Sequence, residues 1–451
     1  MPSPTASARG SRRLLLIVLV VGLLGIPAAA LHVGCAFNAC AASASGGTTT
    51  VPFCPLPAAI RAAIVAGFRD KRSPDVMGVT TRPEVAGGSD PTDATVWPSL
   101  SSAAQMQVPI VFAGAGVAPG SLPDGTGLDQ IAPTVADAIG LKRAHPEVRA
   151  GVSVPGVVSG AIPPLVVEVA WKGIGTADLK AAQGDWPELR ALMHRGAATV
   201  AGTTGSLPLD PAATLTTIGT GGLPFQHGIT GSLIRNDNGA VVAPWSQQAP
   251  PSVIATLGDD LDQALAQAPQ IGIVETAPTD RGLIGGTWYQ SRDDDTVALA
   301  TGAAAQQHAV ASMLSHGFGA DATPDIIGVV MQGPVADLDR ELRAVVVMTQ
   351  KATHGHALVV VAGTGTWSGA TRPTMTGPDL LHAVDQLTGL STPPAQAAVP
   401  GGVFLDEAAL IKEHVTGQVV QKAFLDLRDT NGAPVMSDAF QAFAVSFSRY
   451  C

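Results

Sequence analysis

The fold class is read most clearly from residues 325–363, DIIGVVMQGPVADLDRELRAVVVMTQKATHGHALVVVAG. The two ends of this stretch, 325–331 and 357–363, are short apolar runs of the kind found in strands that are buried on both faces. Between them, residues 335–343 have the spacing of a helix that is apolar on one side. A third apolar run, AVVVM at 344–348, is also predicted to be a strand. Strands that alternate with helices indicate a parallel sheet in an α/β protein.

The same alternation continues along the chain in both directions. Another helix is predicted after Asp185, its expected N-cap, with Pro187 in the first turn and Gly196 at its end. We therefore expect an α/β fold with a large, mostly parallel sheet and helices on both faces. The remaining predicted strands are 108–114, 165–170 and 270–275, and the remaining helices are about 59–68, 130–140, 252–267, 302–316, 378–387 and 406–413.

The composition indicates a well-buried globular body and argues against nucleic acid as a partner. The 451 residues are 46% hydrophobic and 14% charged, which is enough apolar material for a substantial core. The formal net charge is -10, whereas proteins that bind nucleic acid neutralise its phosphates with basic side chains. We therefore expect no nucleic-acid partner.

The N-terminus has the pattern of an export signal. Three arginines precede an apolar run that begins at Leu14, and small residues follow at 28–30. Residues 1–33 are predicted to be a cleaved signal peptide or, alternatively, a retained membrane anchor. Either alternative makes the protein exported, secreted or anchored to the outer face of the cytoplasmic membrane, with membrane contact only through this segment. Residues 34–54 are predicted to be a flexible tether that contains cysteines.

Four cysteines become candidates for disulfide bonds in an exported protein. They are Cys35, Cys40, Cys54 and Cys451. Four cysteines allow three pairings, and their spacing alone does not select one of them.

Three segments together resemble one enzyme family. They are PPLVVEVAWKGIGTADL (163–179), WPELRALMHRGA (186–197) and PAATLTTIGTGGLPFQHGITG (211–231). In this order they resemble the opening of the alkaline phosphatase superfamily, especially its type I phosphodiesterase and nucleotide pyrophosphatase branch. The most specific part is the HGI signature at 227–229 together with DQIAPT at 129–134. The resemblance implies a single α/β domain over residues 55–451.

The order of the segments differs from that of the family. Residues 55–150 resemble the family's C-terminal part, whereas residues 164–451 resemble its N-terminal and central parts. The resemblance therefore implies a circular permutation, which chain termini close together at a surface tolerate. It further implies that Cys54 and Cys451 flank the cut and form a disulfide, with Cys35 and Cys40 paired locally. The alternative pairs Cys54 with Cys40 and leaves Cys451 unpaired.

The resemblance also implies where catalysis would take place. Family members hold two metal ions, usually zinc, with Asp and His ligands beside a hydroxyl nucleophile. The family's nucleophile position falls on Leu209, and its metal positions fall on Lys172, Gly363, Thr364 and Gln107. An Asp-x-x-x-His motif expected after residue 331 is missing as well. The resemblance thus implies a site without catalytic metal or other cofactor, in which His227 of the signature is structural.

Several residues are alternative ligands or nucleophiles. Asp210 and Thr214 lie near the family's nucleophile position, and His354 and His356 have a spacing that can chelate a metal. Each also has a structural interpretation: Asp210 as a helix cap, Thr214 as a residue that bonds back within a helix, and the two histidines as part of a solvated loop. Lys172 is a further candidate, because its ammonium group could replace the positive charge of a metal.

We expect a catalytically inactive, alkaline-phosphatase-like protein that binds or supports a partner at the cell envelope. The partner class is an envelope protein or a phosphate-containing ligand. The alternative is a metal-dependent phosphodiesterase or nucleotide pyrophosphatase that has relocated its ligands and uses zinc. A third hypothesis is an envelope scaffold that assembles with a membrane partner.

Overall fold

The structure is a computed structural model that describes residues 51–83, 85–87, 97–285, 288, 295–367 and 375–451. Residues 50–451 form one unit by their contacts. The predicted signal peptide or anchor, together with Cys35 and Cys40, lies outside the described residues. Within the described ranges, no helix combines the length and apolar character needed to cross a bilayer.

The elements are numbered in chain order. The helices are α1 (Ala58–Gly67), α2 (Ser102–Gln105), α3 (Ile131–Ala138), α4 (Thr176–Ala181), α5 (Pro187–Arg195), α6 (Pro211–Thr220), α7 (Pro224–His227), α8 (Leu257–Ala264), α9 (Ala303–Ser315), α10 (Val335–Ala352), α11 (Gly377–Thr388), α12 (Glu407–Lys412), α13 (Gln418–Asp426) and α14 (Ala442–Ser446). The strands are β1 (Val76–Thr80), β2 (Gln107–Gly114), β3 (Gly120–Ser121), β4 (Leu165–Trp171), β5 (Ala197–Thr203), β6 (Ile234–Arg235), β7 (Val241–Val242), β8 (Ile271–Glu275), β9 (Thr296–Leu299), β10 (Asp325–Met331), β11 (Ala357–Gly363), β12 (Ala395–Val399), β13 (Gly402–Leu405) and β14 (Met436–Gln441).

A large sheet confirms the predicted fold class. The described residues place eight strands in it, in the order β3–β5–β2–β11–β4–β10–β8–β9. All neighbouring pairs are parallel except the two made by β2, which is antiparallel to β5 and to β11. Because parallel strands end at a common edge, the residues that follow β4, β8 and β11 meet at one side of the molecule.

Helices cover both faces of this sheet, as predicted. On β4, Val166 and Ala170 belong to one apolar cluster, which also contains side chains of α3, α6 and α8. Val167, Val169 and Trp171 point to the other face and pack with α5, α9 and α10. Burial on both faces explains why the central strands have continuous apolar sequences and no alternation of apolar and polar residues.

The predicted strand at 344–348 is wrong, because these residues lie inside α10. The helix continues from the predicted stretch at 335–343 to residue 352. Its buried residues include Leu338, Leu342, Val345 and Thr349, which are three or four positions apart and so share one face. Packing of this face against the sheet outweighs the strand propensity of the valines.

The predicted N-cap of α5 also differs from the observed one. The helix begins at Pro187, and Trp186 occupies the cap position without a capping hydrogen bond from its side chain. The carboxylate of Asp339 on α10 accepts hydrogen bonds from the backbone N–H groups of Glu188 and Leu189, at 2.9 and 2.8 Å. The cap therefore comes from a distant helix, which local sequence does not reveal.

A second sheet lies beside this framework and is not predicted by the sequence. The described strands are in the order β12–β13–β1–β14, and each neighbouring pair is antiparallel. The rings of Trp97 and Phe424 are 5.7 Å apart in its core. Its strands are short and rich in Ala and Gly, as in AQAAV, so their strand pattern is weak.

Candidate functional site

The candidate site lies at the carboxyl edge of the large sheet. Lys172 follows the last residue of β4, Glu275 is the last residue of β8, and Gly363 is the last residue of β11. Open α/β sheets bind their ligands at this edge. The positions that the sequence singled out at 172 and 363 are therefore neighbours at the place where a site is expected.

Lys172 forms a buried ion pair with Asp280. The Nζ atom lies 2.9 Å from Oδ1 of Asp280 and donates a second hydrogen bond, at 3.3 Å, to Oγ1 of Thr276. The Lys172 side chain is 10% exposed and that of Asp280 is fully buried. The cation at this position is thus already neutralised by a carboxylate of the same chain.

The turn after β8 holds Asp280 in place. Its Oδ2 atom accepts hydrogen bonds from the backbone N–H groups of Thr276 and Ala277, at 2.9 and 3.0 Å. It also accepts one from the Thr276 hydroxyl at 2.6 Å. Sequence reasoning missed this residue, although TAPTD at 276–280 directly follows a predicted strand and so had to lie at the same edge as Lys172.

Glu275 adds a second buried carboxyl group beside this pair. Its Oε2 atom has no hydrogen-bond partner among the described residues. Burial raises the pKa of the Glu275 carboxyl, with a smaller contribution from the negative charge of Asp280. Arg281 and Lys172 act in the opposite direction on this pKa. The edge therefore contains carboxyl and cationic groups that compensate one another.

Leu209, where the family resemblance implies the nucleophile position, is an apolar core residue. It belongs to a cluster that also contains Leu207 and Phe440. Its carbonyl oxygen accepts a hydrogen bond from Nε1 of Trp367 at 3.2 Å. A Cβ atom built on Gly365 would lie 3.0 Å from the Leu209 side chain, so the backbone packs closely against it. No hydroxyl is available at this position.

Asp210 is the N-cap of α6. Its Oδ1 atom accepts a hydrogen bond from the Ala212 N–H at 3.0 Å, and Oδ2 accepts one from the Ser232 N–H at 2.7 Å. The hydroxyl of Thr214 donates back to the Asp210 carbonyl oxygen at 3.1 Å. Both side chains are buried and take part in local backbone contacts, in the structural roles that the sequence offered as alternatives.

The other three implied metal positions lie at the last residue of β11, directly after it, and at the first residue of β2. A Cβ atom built on Gly363 would lie 2.2 Å from the Ile174 carbonyl oxygen, so a side chain does not fit there without a backbone shift. The Thr364 hydroxyl accepts a hydrogen bond from the Gly173 N–H at 2.8 Å and ties the ends of β4 and β11 together. Gln107 is exposed at the first position of β2.

His354 and His356 lie at the opposite edge of the sheet. They form an exposed turn between α10 and β11, in which His354 has a φ of 53°. They precede the amino end of β11, whereas the candidate site follows its carboxyl end. A strand of this length spans about 20 Å, so the two histidines are too far away to act with Lys172 or Asp280.

The HGI signature forms a buried structural contact. His227 is fully buried, and its Nδ1 atom accepts a hydrogen bond from the Ile229 N–H at 3.1 Å. Its other ring nitrogen, Nε2, therefore carries the proton and donates to the Thr217 hydroxyl at 3.2 Å. Burial lowers the pKa of His227 to about 3, and the nearby cation of Arg69 adds to this effect. The neutral ring joins α6 to the turn that follows α7.

These donor sets do not fit the zinc ions that the family resemblance implies. The implied ligand positions hold an ammonium group, a glycine, a threonine that binds backbone and an exposed amide. Across the described part of the chain, no three His, Cys, Asp or Glu side chains are grouped so that they could hold a metal ion.

Among the surface grooves in the described part of the chain, five have volumes of about 350 to 660 Å³. Lys172, Asp280 and Leu209 are not among the residues that line these five grooves. The candidate site is therefore distinct from these five grooves, and its ion pair is largely buried.

Cys54 and Cys451 form a disulfide, with Cα atoms 5.1 Å apart. This is the pairing implied by the family resemblance, and it differs from the alternative in which Cys54 bonds to Cys40. The bond joins the beginning of the described chain to its last residue.

No known family profile matches this chain, and no curated protein matches it. Among solved structures, it is similar to wild-type alkaline phosphatase PafA, with 13% identity and a TM-score of 0.43, over 58% of this chain and 76% of that one. A quadruple mutant of PafA is similar over the same shares of both chains, with 13% identity and a TM-score of 0.42. The α/β class of the chain follows from its own strand order and directions.

Proposed function

We propose that the chain is an exported, alkaline-phosphatase-like protein of the phosphodiesterase and nucleotide pyrophosphatase branch that does not hydrolyse phosphate esters and acts by binding at the cell envelope. The observation that carries this proposal is the ion pair between Lys172 and Asp280 at the carboxyl edge of the sheet. Where the resemblance expects a carboxylate that holds a metal, the chain has a cation with its own counter-charge.

The charges at the edge argue against a metal ion. A divalent ion beside Lys172 would be repelled by the ammonium group. The Asp280 carboxylate already accepts four hydrogen bonds. Diverting it to a metal would leave a buried ammonium without a counter-charge, which is strongly unfavourable. The raised pKa of Glu275 further weakens this group as a ligand, because a carboxyl group must lose its proton to bind a metal.

The missing nucleophile is a second, separate argument. Leu209 supplies no hydroxyl, and Thr214, the hydroxyl candidate named from the sequence, bonds to the Asp210 carbonyl oxygen. The strand end at Gly363 has no room for a ligand side chain. Restoring hydrolysis would therefore require changes at several unconnected positions.

We also propose that the chain is a circular permutation of the family's order. Two features support this. The strand β2, from the first third of the chain, lies inside the large sheet between β5 and β11. The disulfide between Cys54 and Cys451 holds the two ends of the described chain together, as expected where a continuous chain has been cut. The disulfide also supports export, because such bonds persist in oxidising compartments.

The proposed partner is an envelope protein, because a phosphate group would have to compete with Asp280 for Lys172. This predicts that inorganic phosphate and a nucleoside monophosphate at millimolar concentration leave the melting temperature unchanged. Stabilisation that is lost in a Lys172→Met variant would instead identify a phosphate-containing ligand.

Hydrolysis of bis-nitrophenyl phosphate by the purified chain, with zinc, magnesium or manganese added, tests the proposal directly. We expect no turnover above buffer for the wild-type chain. We expect none for a Leu209→Ser variant either, since a hydroxyl alone does not restore the metals. Turnover by the wild-type chain that disappears in Asp280→Asn and Glu275→Gln variants would contradict the proposal and support a phosphodiesterase with relocated ligands.

A further inference from the structure

Three aromatic side chains at the C-terminus form an exposed surface, which we name the aromatic ridge: Phe443, Phe447 and Tyr450. They are 59%, 56% and 70% exposed. Their spacing of four and three residues places them on one side of α14 and the turn that follows it. The rings of Phe447 and Tyr450 are stacked with centroids 6.1 Å apart, and the Arg449 guanidinium lies 4.8 Å from the Tyr450 ring.

The opposite side of the same segment is anchored in the core. Val445 is buried in a cluster with Phe53, Ile60 and Phe440, and the rings of Phe53 and Phe440 are 4.9 Å apart. The ridge is therefore presented by a fixed segment of the fold. Exposed aromatic residues in a contiguous patch are uncommon on a monomer and indicate an interaction surface.

The ridge lies beside the point where the preceding chain enters the described structure. Cys451 is bonded to Cys54, and the Cys54 N–H donates to the carbonyl oxygen of Val51, where the described residues begin. The preceding seventeen residues, 34–50, are mostly small and polar. A random-coil chain of seventeen residues has a mean end-to-end distance of about 20–25 Å, which is the reach that the predicted flexible tether would have.

We propose that the aromatic ridge rests in the interface of the lipid bilayer into which residues 14–33 insert. Tyrosine is enriched at the membrane–water interface, phenylalanine occurs on the apolar face of interfacial helices, and arginine can bury its stem while its guanidinium stays in water. The tether raises the effective concentration of the ridge at the bilayer into the millimolar range, so a weak affinity is sufficient. Because the chain carries a net charge of -10, apolar insertion rather than attraction to anionic lipids is the source of binding.

This inference rests on the export in the proposed function and on retention of residues 1–33 as a membrane anchor, and it is independent of whether the chain hydrolyses phosphate esters. The two can therefore fail separately. Hydrolysis by the wild-type chain would contradict the proposed function and leave the ridge unaffected. A ridge that does not contact lipid would leave the hydrolysis results unchanged.

The test uses the full chain, with residues 1–33 retained, reconstituted into vesicles of neutral and anionic phosphatidyl lipids. Some vesicles contain a lipid with a nitroxide quencher near the headgroup. The Phe447→Trp variant reports on the ridge. The matched control is Leu299→Trp, on the edge strand β9 and 64% exposed. The native tryptophans give a constant background that is subtracted in both.

We expect the quencher to reduce the added fluorescence of the Phe447→Trp variant several-fold more than that of the Leu299→Trp control. Adding Phe443→Ser to the Phe447→Trp variant should weaken the quenching, because the ridge loses apolar area. Equal quenching of the two tryptophan variants, or none at position 447, would overturn the proposal. Dimers in sedimentation experiments that separate when Phe443 and Phe447 are both changed to Ser would instead assign the ridge to a second copy of the chain.

Discussion

The ammonium group of Lys172 lies 2.9 Å from the carboxylate of Asp280, at the edge of the sheet where α/β proteins bind their ligands. A cation and an anion of the same chain thus satisfy each other at the position where the family resemblance implies a metal ion. The consequences of this pair can be measured without knowing the partner of the protein.

Removing one charge of the pair between Lys172 and Asp280 is predicted to lower the free energy of unfolding. A Lys172→Met variant leaves the buried Asp280 carboxylate without its counter-charge, and we expect a loss of about 3 kcal/mol in the free energy of unfolding. Urea denaturation measures this loss. The double variant Lys172→Met and Asp280→Asn should lose about 1–3 kcal/mol less than the sum of the two single variants. The exposed pair of Lys422 and Asp426, 3.0 Å apart, is the control: Lys422→Met should cost less than about 1 kcal/mol. Additive losses at residues 172 and 280 would show that the two groups do not interact.

His227 is predicted to make stability fall at acidic pH. Its pKa is about 3 in the folded chain and 6.5 as the ordinary value, so the unfolded chain binds more protons between these values. The free energy of unfolding should therefore rise with pH through this range, by up to about 1.4 kcal/mol per pH unit, and level off above the unfolded pKa. Urea titrations at a series of pH values should show this slope in the wild-type chain and its loss in a His227→Gln variant. His354→Gln, on the exposed turn, is the control and should keep the wild-type slope. An unchanged slope in the His227→Gln variant would contradict the buried neutral imidazole.

Glu168 is predicted to make stability fall as pH rises, in contrast to His227. It lies in the middle of β4, paired in register with Gly328 and Val360. Its Oε1 atom has no hydrogen-bond partner among the described residues. Burial raises the pKa of Glu168 to about 8, with Arg143 acting in the opposite direction. The folded chain therefore binds more protons above pH 4.5, and stability should fall as pH rises from 4.5 to about 8.

A Glu168→Gln variant tests this effect, since it removes the titrating group and keeps the shape of the side chain. Unfolding measured from pH 4 to 9 should show a smaller decrease at high pH than in the wild-type chain. Glu407→Gln, on the surface of α12, should leave the profile unchanged. A variant at position 168 that follows the wild-type profile would show that this carboxyl is ionised in the folded protein.

The disulfide is predicted to contribute substantially to stability. A Cys54→Ser variant should unfold at a lower urea concentration, with a loss of about 2–5 kcal/mol, because the bond restricts the unfolded chain. Cys40→Ser is the control and should leave the body of the protein as stable as the wild type. Equal losses in both variants would instead indicate the pairing of Cys40 with Cys54.

The sequence is sufficient to predict the central strands of the large sheet (β2, β4, β8, β10 and β11) and most of its helices, because these elements have strong hydrophobic patterns, whereas β3, β5 and β9 are not predicted. The strands at 325–331 and 357–363 have the predicted bounds. The predicted strand at 344–348 is wrong, since its valines suit either a strand or the buried face of a helix and only packing decides. The second sheet was missed because its short strands carry little pattern of their own.

At the candidate site, the sequence could place Lys172 but not its partner. The family resemblance directs attention to positions that lack ligands, whereas Asp280 comes from a turn that follows a different strand. Its contact with Lys172 requires that only β10 separates β4 from β8 in the sheet. The sequences of the two segments do not indicate this strand order. The role of His227 was predicted as structural, and its hydrogen bonds to Thr217 and Ile229 agree with that interpretation.

The metal content of the chain tests the central claim most directly. The full chain, purified without chelators and equilibrated with zinc before removal of free metal, is analysed by elemental mass spectrometry. We predict far less than one zinc ion per chain, and no increase in a Leu209→Ser variant. One or two tightly held zinc ions per wild-type chain, lost when Asp280 is changed to Asn, would contradict the account.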